Sequence, residues 1–575
     1  EAYGSVSRVL IPRFLGHPSP SSRPTTGLLN LEDPNSDAVD VLIELVRCFG
    51  PILQSFEIEA LHSAVVTILD KDRGNSVVKK RAVVALSMLA HYLPDELLAD
   101  FIGRSVEVLS SDNIKDQPRR LYITVLGSMA RSIPYRFGRF IPTLVPHLLQ
   151  VLSEDNLQAH LDEYNENGAG AFDFNEIQES ALVTLEAFLS SCPIPMRDYT
   201  LDAIEACNRY LKFDPNYAFN DEDEVMEDEE EEDEFDEDDE YEDAGTFDDD
   251  DDSSWKVRRA AAKGLHAIIS TRSSGDLLES GVLYQRVGSA LVKRLNEREE
   301  NVRLEVLSAL SLLVRKTGEG VVPDLSGDSS QSEFISISQP PPSRKRRRQS
   351  SVAGATTFAP ETAALDLFAA GLASPTSVNA PSTGPRADLA ALTPAIIKSL
   401  TKWLKSKLIP TKQACINLLD DLVAVQRGGL ASYFDQIIEP IIDAVKTSAG
   451  SASSGLTSTT GNASATAVTL RIAALRLIGD IVKHHSSSVL QPYLSKIVVA
   501  VVSVAHDRFY KISGEAIQTA EELTKVITPP RARMTSQKFE GDLQKIYEVV
   551  IDRTTANDAD AEVRQKAIHA LGTLL

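Results

Sequence analysis

Four stretches of the chain carry the same spacing of apolar positions: "SVVKKRAVVALSMLA" (76–90), "WKVRRAAAKGLHAII" (255–269), "ENVRLEVLSALSLLV" (300–314) and "AEVRQKAIHALGTLL" (561–575). In each, apolar residues recur at offsets 0, +4, +7 or +8, and +11. Examples are Val78, Ala82, Leu86 and Leu89, and Val257, Ala261, Leu265 and Ile268. That spacing predicts a helix with one buried stripe. Small residues beside the stripe predict close approach of a neighbouring helix. Weaker copies occur at "RRLYITVLGSMA", "IQESALVTLEAFL", "TKQACINLLDDLV", "LRIAALRLIGDIV" and "KISGEAIQTAEELTKVI". Between them lie second apolar helices such as "FIPTLVPHLLQVL", "YQRVGSALVKRL", "FDQIIEPIIDAV" and "PYLSKIVVAVVSV".

Two helices per period of about 40 to 45 residues is the pattern of HEAT or armadillo repeats. The predicted fold is therefore all-α, a superhelix of about nine or ten repeats in which each pair buries its stripe on the next. Tetratricopeptide repeats fit less well, since their period is shorter and their aromatic signature is missing. Repeats are expected over 1–215, 254–318 and 391–575. An acidic insertion at 216–253 and a Pro, Ser, Ala and Gly-rich insertion at 319–390 interrupt them. Shorter polar loops are expected at 153–175 and 447–466. None of the four segments offers enough apolar surface to offset chain entropy, so all are expected to be disordered.

Charge sharpens this picture. The net charge is −25, but residues 221–252 alone hold 24 Asp or Glu and no Lys, Arg or His, which leaves the rest of the chain close to neutral. The balance does not support nucleic-acid binding through a basic face. The tract reads either as a solvated spacer or as an interaction tail that competes for the array's own cations. Directly after it come Lys256, Arg258 and Arg259, which are candidate partner contacts, and Ser253 or Ser254 is a candidate helix cap. A second cluster, Arg344, Lys345, Arg346, Arg347 and Arg348, lies in "PPPSRKRRRQSS" and reads as a nuclear import signal, with a polyelectrolyte contact as the alternative. Ser350 behind Arg347 and Arg348 is a candidate phosphorylation site.

No phosphate-cradling glycine loop, H-E-x-x-H, G-x-S-x-G or metal-ligand spacing occurs, so the sequence predicts no catalytic residue, cofactor or metal. Cys48, Cys192, Cys207 and Cys415 form no C-x-x-C pair and are expected as buried reduced thiols, which suits nucleus and cytoplasm. His484 and His485 are expected at a helix end. The sequon at Asn462 is a chance match in a chain with no secretory signal, and no apolar run predicts a membrane partner. The lack of an initiating Met and the stop at "HALGTLL" fit a fragment.

"RYLKFDPNYAFNDEDE" (209–224), the acidic run, "SSWKVRRAAAKGLHAIISTR" (253–272), "LVKRLNEREENVR" (291–303), "HDRFYKISGEAI" (506–517) and "DAEVRQKAIHALG" (560–572) together give the chain a likeness. It resembles the N-terminal half of the cullin-associated, neddylation-dissociated family over most of residues 36–575. The resemblance implies a HEAT solenoid that binds a cullin lacking its ubiquitin-like modifier together with the RING subunit, and that promotes exchange of substrate receptors. It also implies that a further segment or a separate chain supplies the C-terminal half. A β-type nuclear transport receptor is the alternative, also a HEAT array with an acidic loop.

Overall fold

The computed structural model describes residues 4, 6–16, 27–31, 33–70, 76–111, 116–167, 171–214, 253–272, 276–319, 383–447, 466–527, 536–556 and 560–575. The chain divides into two compact units, Glu1–Thr271 and Arg272–Leu575. Every regular element among the described residues is helical.

The N-terminal unit carries α1 (Ser36–Phe49), α2 (Ser55–Asp70), α3 (Ser76–Leu89), α4 (Asp95–Ser110), α5 (Asp116–Ser132), α6 (Ile141–Val151), α7 (Glu154–Asn167), α8 (Ala171–Ser191), α9 (Thr200–Leu211) and α10 (Ser254–Arg272). α1, α3, α5 and α8 pack one against the next as a first row. α2, α4, α6 and α9 back that row. The C-terminal unit carries α11 (Glu300–Gly318), α12 (Pro385–Leu404), α13 (Ile409–Gln426), α14 (Phe434–Lys446), α15 (Ala467–His484), α16 (Leu494–Val504), α17 (Tyr510–Ile527), α18 (Glu540–Thr555) and α19 (Ala561–Leu574). Here α11, α13, α15, α17 and α19 form the first row, backed by α12, α14, α16 and α18.

The stripes build the cores. Val257, Ala261, Leu265 and Ile268 are fully buried, as are Val302, Val306, Leu310 and Leu313. Each Val, Leu or Ile among them contributes roughly 1.5–3 kcal/mol of transfer free energy and Ala261 less, which is what closes one repeat on the next. In α19 only the start of the stripe is buried, at Val563 and Ala567. Glycine sets the closest approaches. A Cβ at Gly127 of α5 would lie 2.7 Å from Thr184 Oγ1 of α8, and one at Gly264 of α10 would lie 2.6 Å from Cys207 Sγ of α9. Helix starts are fixed locally: Asn35 accepts from Asp37 N at 3.1 Å, and Thr466 and Thr469 form a reciprocal capping box ahead of α15. Prolines inside long helices, Pro146, Pro394 and Pro440, all fall in the backing rows among the described residues.

A second regularity runs beside the stripe. The residue just after its first position donates to a backbone carbonyl of the preceding turn. Arg119 reaches Ser111 O at 2.6 Å, Arg258 reaches Phe213 O at 3.1 Å, and Arg303 reaches Glu297 O at 2.7 Å. Arg471 reaches Val445 O at 2.9 Å, Ser513 reaches Ala505 O at 2.6 Å, and Arg564 reaches Ala556 O at 2.8 Å. Helix hairpins leave carbonyls without intrahelical partners, and this position supplies the missing donor.

Three expectations are corrected. The stretch 153–175 is not a loop: α7 occupies Glu154–Asn167 and α8 begins at Ala171. α7 lacks a broad apolar face, burying Leu157 as its one core residue among those whose burial is described, so its sequence reads as polar. The low-complexity insertion ends earlier than 390, because Pro385 opens α12, its fixed φ matching a first helical turn. Cys48 is exposed at the end of α1, while Cys192, Cys207 and Cys415 are buried. Burial pushes the Cys207 and Cys415 thiols up to about 12 and Cys192 up to about 11.

Candidate partner-binding surface

α10 begins at Ser254, where the acidic segment ends. Arg258, taken from sequence as a surface contact, is fully buried. Its guanidinium donates to Phe213 O and to Ser254 Oγ at 2.9 Å, and it lies 3.7 Å from Asp214 Oδ2. Ser253 Oγ accepts from Asn175 Nδ2 of α8 at 3.0 Å. Residues 213–214 and 253–254 are thus fastened to one buried cluster, which corrects the surface assignment of Arg258. The physical reason is that one carbonyl of the preceding turn, a serine hydroxyl and a carboxylate replace the water a surface arginine would hold.

Lys256 and Arg259 remain outward. Lys256 is exposed, its Nζ 5.8 Å from the ring centre of half-buried Trp255, and Arg259 is partly exposed. Glu179 of α8 faces both. Burial raises its carboxyl above the ordinary range while Lys256 and Arg259 pull the other way. The residues 215–252, the cluster Arg344–Arg348, Ser350 and Asn462 lie outside the described residues.

The rows present charge turn by turn. In the N-terminal unit, Arg120 of α5 pairs with Glu176 of α8, and Arg131 with Glu186 at 2.7 Å. In the C-terminal unit, a polar recess between α15 and α17 is lined by Arg476, Asp480, Lys483, Glu515, Gln518 and Glu522. Beside it Asp420 of α13 faces Asp480, and burial together with that like-charged neighbour pushes its carboxyl up to about 7. His484 and His485 end α15 as expected, with Nδ1 atoms 2.8 Å from Asp480 O and 2.9 Å from Ile481 O. Burial pushes His485 down to about 4, so it sits neutral in the core. Among the described residues no group of three or more His, Cys, Asp or Glu side chains could hold a metal ion, and no helix is long and apolar enough to cross a membrane.

Stacked helical hairpins with distributed polar faces define an α-solenoid of the HEAT type. Solved structures of importin beta share the fold: two, from an ammonium sulfate and a polyethylene glycol condition, match 94% of this chain at TM-scores of 0.51 and 0.50, with 12% and 11% identity, over 50% and 52% of the importin chain. At that identity the likeness speaks to fold alone. Two family models, both of cullin-associated NEDD8-dissociated proteins, match this chain. A model described as the N-terminal part of cullin-associated NEDD8-dissociated protein 1 matches residues 1–160, and one described as CAND1-like, TPR repeats, matches 386–571. An Emericella nidulans relative, "Cullin-associated NEDD8-dissociated protein 1, C-terminal part", is 42% identical over 70% of this chain. The corresponding N-terminal part from Emericella nidulans is 41% identical over 28% of this chain and half its own length. An Arabidopsis thaliana relative is 26% identical over 94% of this chain. The chain spans 39% and 36% of the lengths of the C-terminal-part and Arabidopsis relatives.

Proposed function

We propose that this chain is a non-catalytic regulator of cullin-RING ubiquitin ligases. It binds a cullin that lacks the ubiquitin-like modifier, together with the RING subunit, and supports ligase assembly or exchange of substrate receptors. The observation that carries this reading is that models of one cullin-associated family match both units, at 1–160 and 386–571. Rows of helices that expose a polar or charged side chain at each turn suit contacts spread over a long partner surface. Lys256 and Arg259 lie on such a face and are contact candidates, and the remaining length of the relatives is supplied by a further segment or a separate chain. The nuclear transport alternative has only the importin fold behind it.

The test is capture of a purified cullin-RING complex, with and without the modifier, by the immobilised chain. Preferential retention of the unmodified complex is expected. Equal retention of both, or retention of Ran-GTP instead, overturns the reading. Arg344–Arg348 fit an import signal that places the protein in nucleus as well as cytoplasm. Their replacement by Ala is expected to move a tagged chain toward the cytoplasm, and an unchanged distribution removes that role.

A further inference from the structure

Two arginines stand without a counter-charge where α12 begins and α13 ends. The turn after α13 lies between two other helices. Gln426 Nε2 donates to Thr393 Oγ1 of α12 at 2.5 Å, and a Cβ at Gly428 would lie 3.5 Å from His484 O at the end of α15. Arg427 is held in this turn at φ 39°, the one non-glycine residue at positive φ among those described. That backbone suits glycine, and two glycines follow it, so arginine occupies the place at a conformational cost. Arg386 stands in the first turn of α12. Its Nε is buried and has no hydrogen-bond partner, and neither guanidinium has an ion-pair partner among the described residues. Burial pushes the Arg386 guanidinium below its ordinary range, and the Arg427 charge pushes the same way with no carboxylate opposing. The Arg427 charge also adds to the burial that lowers His484. Asp388, two residues further along α12, turns to Gly281, where an added Cβ would stand 3.1 Å from its Oδ2. Arg258, by contrast, is buried beside the Asp214 carboxylate. Two like charges partly withdrawn from water raise each other's energy, and an anion shared between them lowers it.

We propose that Arg386 and Arg427 together bind a phosphate group at this edge of the C-terminal unit. A guanidinium presents its N–H donors as a planar fork. A doubly charged phosphate has the charge to neutralise two such groups and acceptor oxygens for both forks, whereas one carboxylate matches a single guanidinium. Both side chains are half-buried, so the group reaches them from solution, either as inorganic phosphate or on a phosphorylated side chain.

The test is the melting temperature of the full chain and of its Arg386→Gln and Arg427→Gly variants, with sodium phosphate replacing sodium chloride at constant ionic strength. Phosphate at about 10 mM is expected to raise it in the parent and in neither variant. An equal rise in all three overturns the proposal, because phosphate then acts as bulk salt. Without phosphate, Arg427→Gly should melt no lower than the parent, since glycine relaxes φ and one of two repelling charges is gone. A clear fall there would also overturn the proposal, because the arginine would then be answered from within the fold. Isothermal titration of the parent gives a readout that does not depend on the variants folding. Saturable binding of inorganic phosphate is expected, and none would sink the site. Titration with N-acetyl-O-phosphoserine amide then separates the sources: tighter binding than inorganic phosphate assigns the site to a phosphorylated side chain, weaker binding to the free ion.

Discussion

Arg258 and Arg303 occupy the same place in their repeats, one in each unit, and both are buried to within 1% of full coverage. Arg258 sits among oxygens: Phe213 O, Ser254 Oγ and the Asp214 carboxylate. Arg303 takes Glu297 O, Arg298 O and Thr411 Oγ1, and its guanidinium lies 3.7 Å from the ring centre of Trp403, whose Nε1 donates to Leu295 O. Burial pushes the Arg303 guanidinium below its ordinary range, with Glu300 and other carboxylates opposing. One position in the repeat is therefore served by a formal ion pair in one unit and by an aromatic face with neutral acceptors in the other. The repeat requires a donor reaching back to the turn and tolerates different chemistry around it. Along the rows the two units share one device and differ in another: Arg476 of α15 pairs with Glu515 of α17 at 3.3 Å in the C-terminal unit, as arginine and glutamate do in the N-terminal one. The N-terminal unit closes its charges as Arg–Glu pairs between α5 and α8. The C-terminal unit sets Asp420 against Asp480 and places Asp421 beside them, its carboxylate accepting from Ser311 of α11.

Three measurements can break or sharpen this comparison. Arg303→Ala is expected to have the largest effect. It opens a cavity under Trp403 and strips donors from two carbonyls and a threonine, so the C-terminal unit should lose about 3 kcal/mol, read from the denaturant midpoint. A loss below about 1 kcal/mol would show that the aromatic stack does not matter. Arg258→Ala should cost less, about 2 kcal/mol, because Asp214 keeps 12% of its side chain exposed and can recover water. A larger loss than for Arg303→Ala would reverse the ranking.

Asp420→Asn should have the smallest effect, and its sign depends on pH. The folded protein holds a proton on this carboxyl up to about pH 7, whereas an ordinary aspartate releases it near 3.8. The folded state therefore binds more protons than the unfolded chain between those values, and this group makes stability fall as pH rises from about 4 to 7, then level off. Asn removes that slope. Discounted for partial exposure, the variant should gain about 1 kcal/mol over the parent at pH 8 and nothing at pH 4. Parallel stability curves for the two proteins would sink the account of an Asp420 carboxyl that keeps its proton in the fold.

The fold was readable wherever burial follows period. Val78, Val257 and Val302 head stripes whose sequence spacing alone marks one helix face, and all three are buried. The start of α10 at Ser254 was readable too, from where the charge run stops. α7 was not, because a helix that buries little beyond Leu157 has no apolar period to detect. Arg258 was misjudged for a related reason. Hydrophobic pattern and charge count describe a residue's own chemistry, while its burial was decided by Phe213 O and Asp214, 45 and 44 positions away in sequence. The cluster did contain a signal. The recurrence of a cation right after the stripe's first residue, at Lys79, Arg258, Arg303 and Arg564, is visible in the four aligned stretches, and a recurring charge at a fixed internal offset points to a structural job.

The fastening of residues 213–214 and 253–254 to Arg258 and Asn175 has a practical corollary for protein engineering. Both attachment points of the intervening residues 215–252 are held by the repeats themselves, so what is spliced between them need not carry any folding information for the solenoid. For a flexible insert tethered at two fixed ends, doubling its length adds only about 0.6 kcal/mol of closure cost. That makes this place a natural port for a fluorescent reporter or an affinity handle, installed without disturbing either terminus.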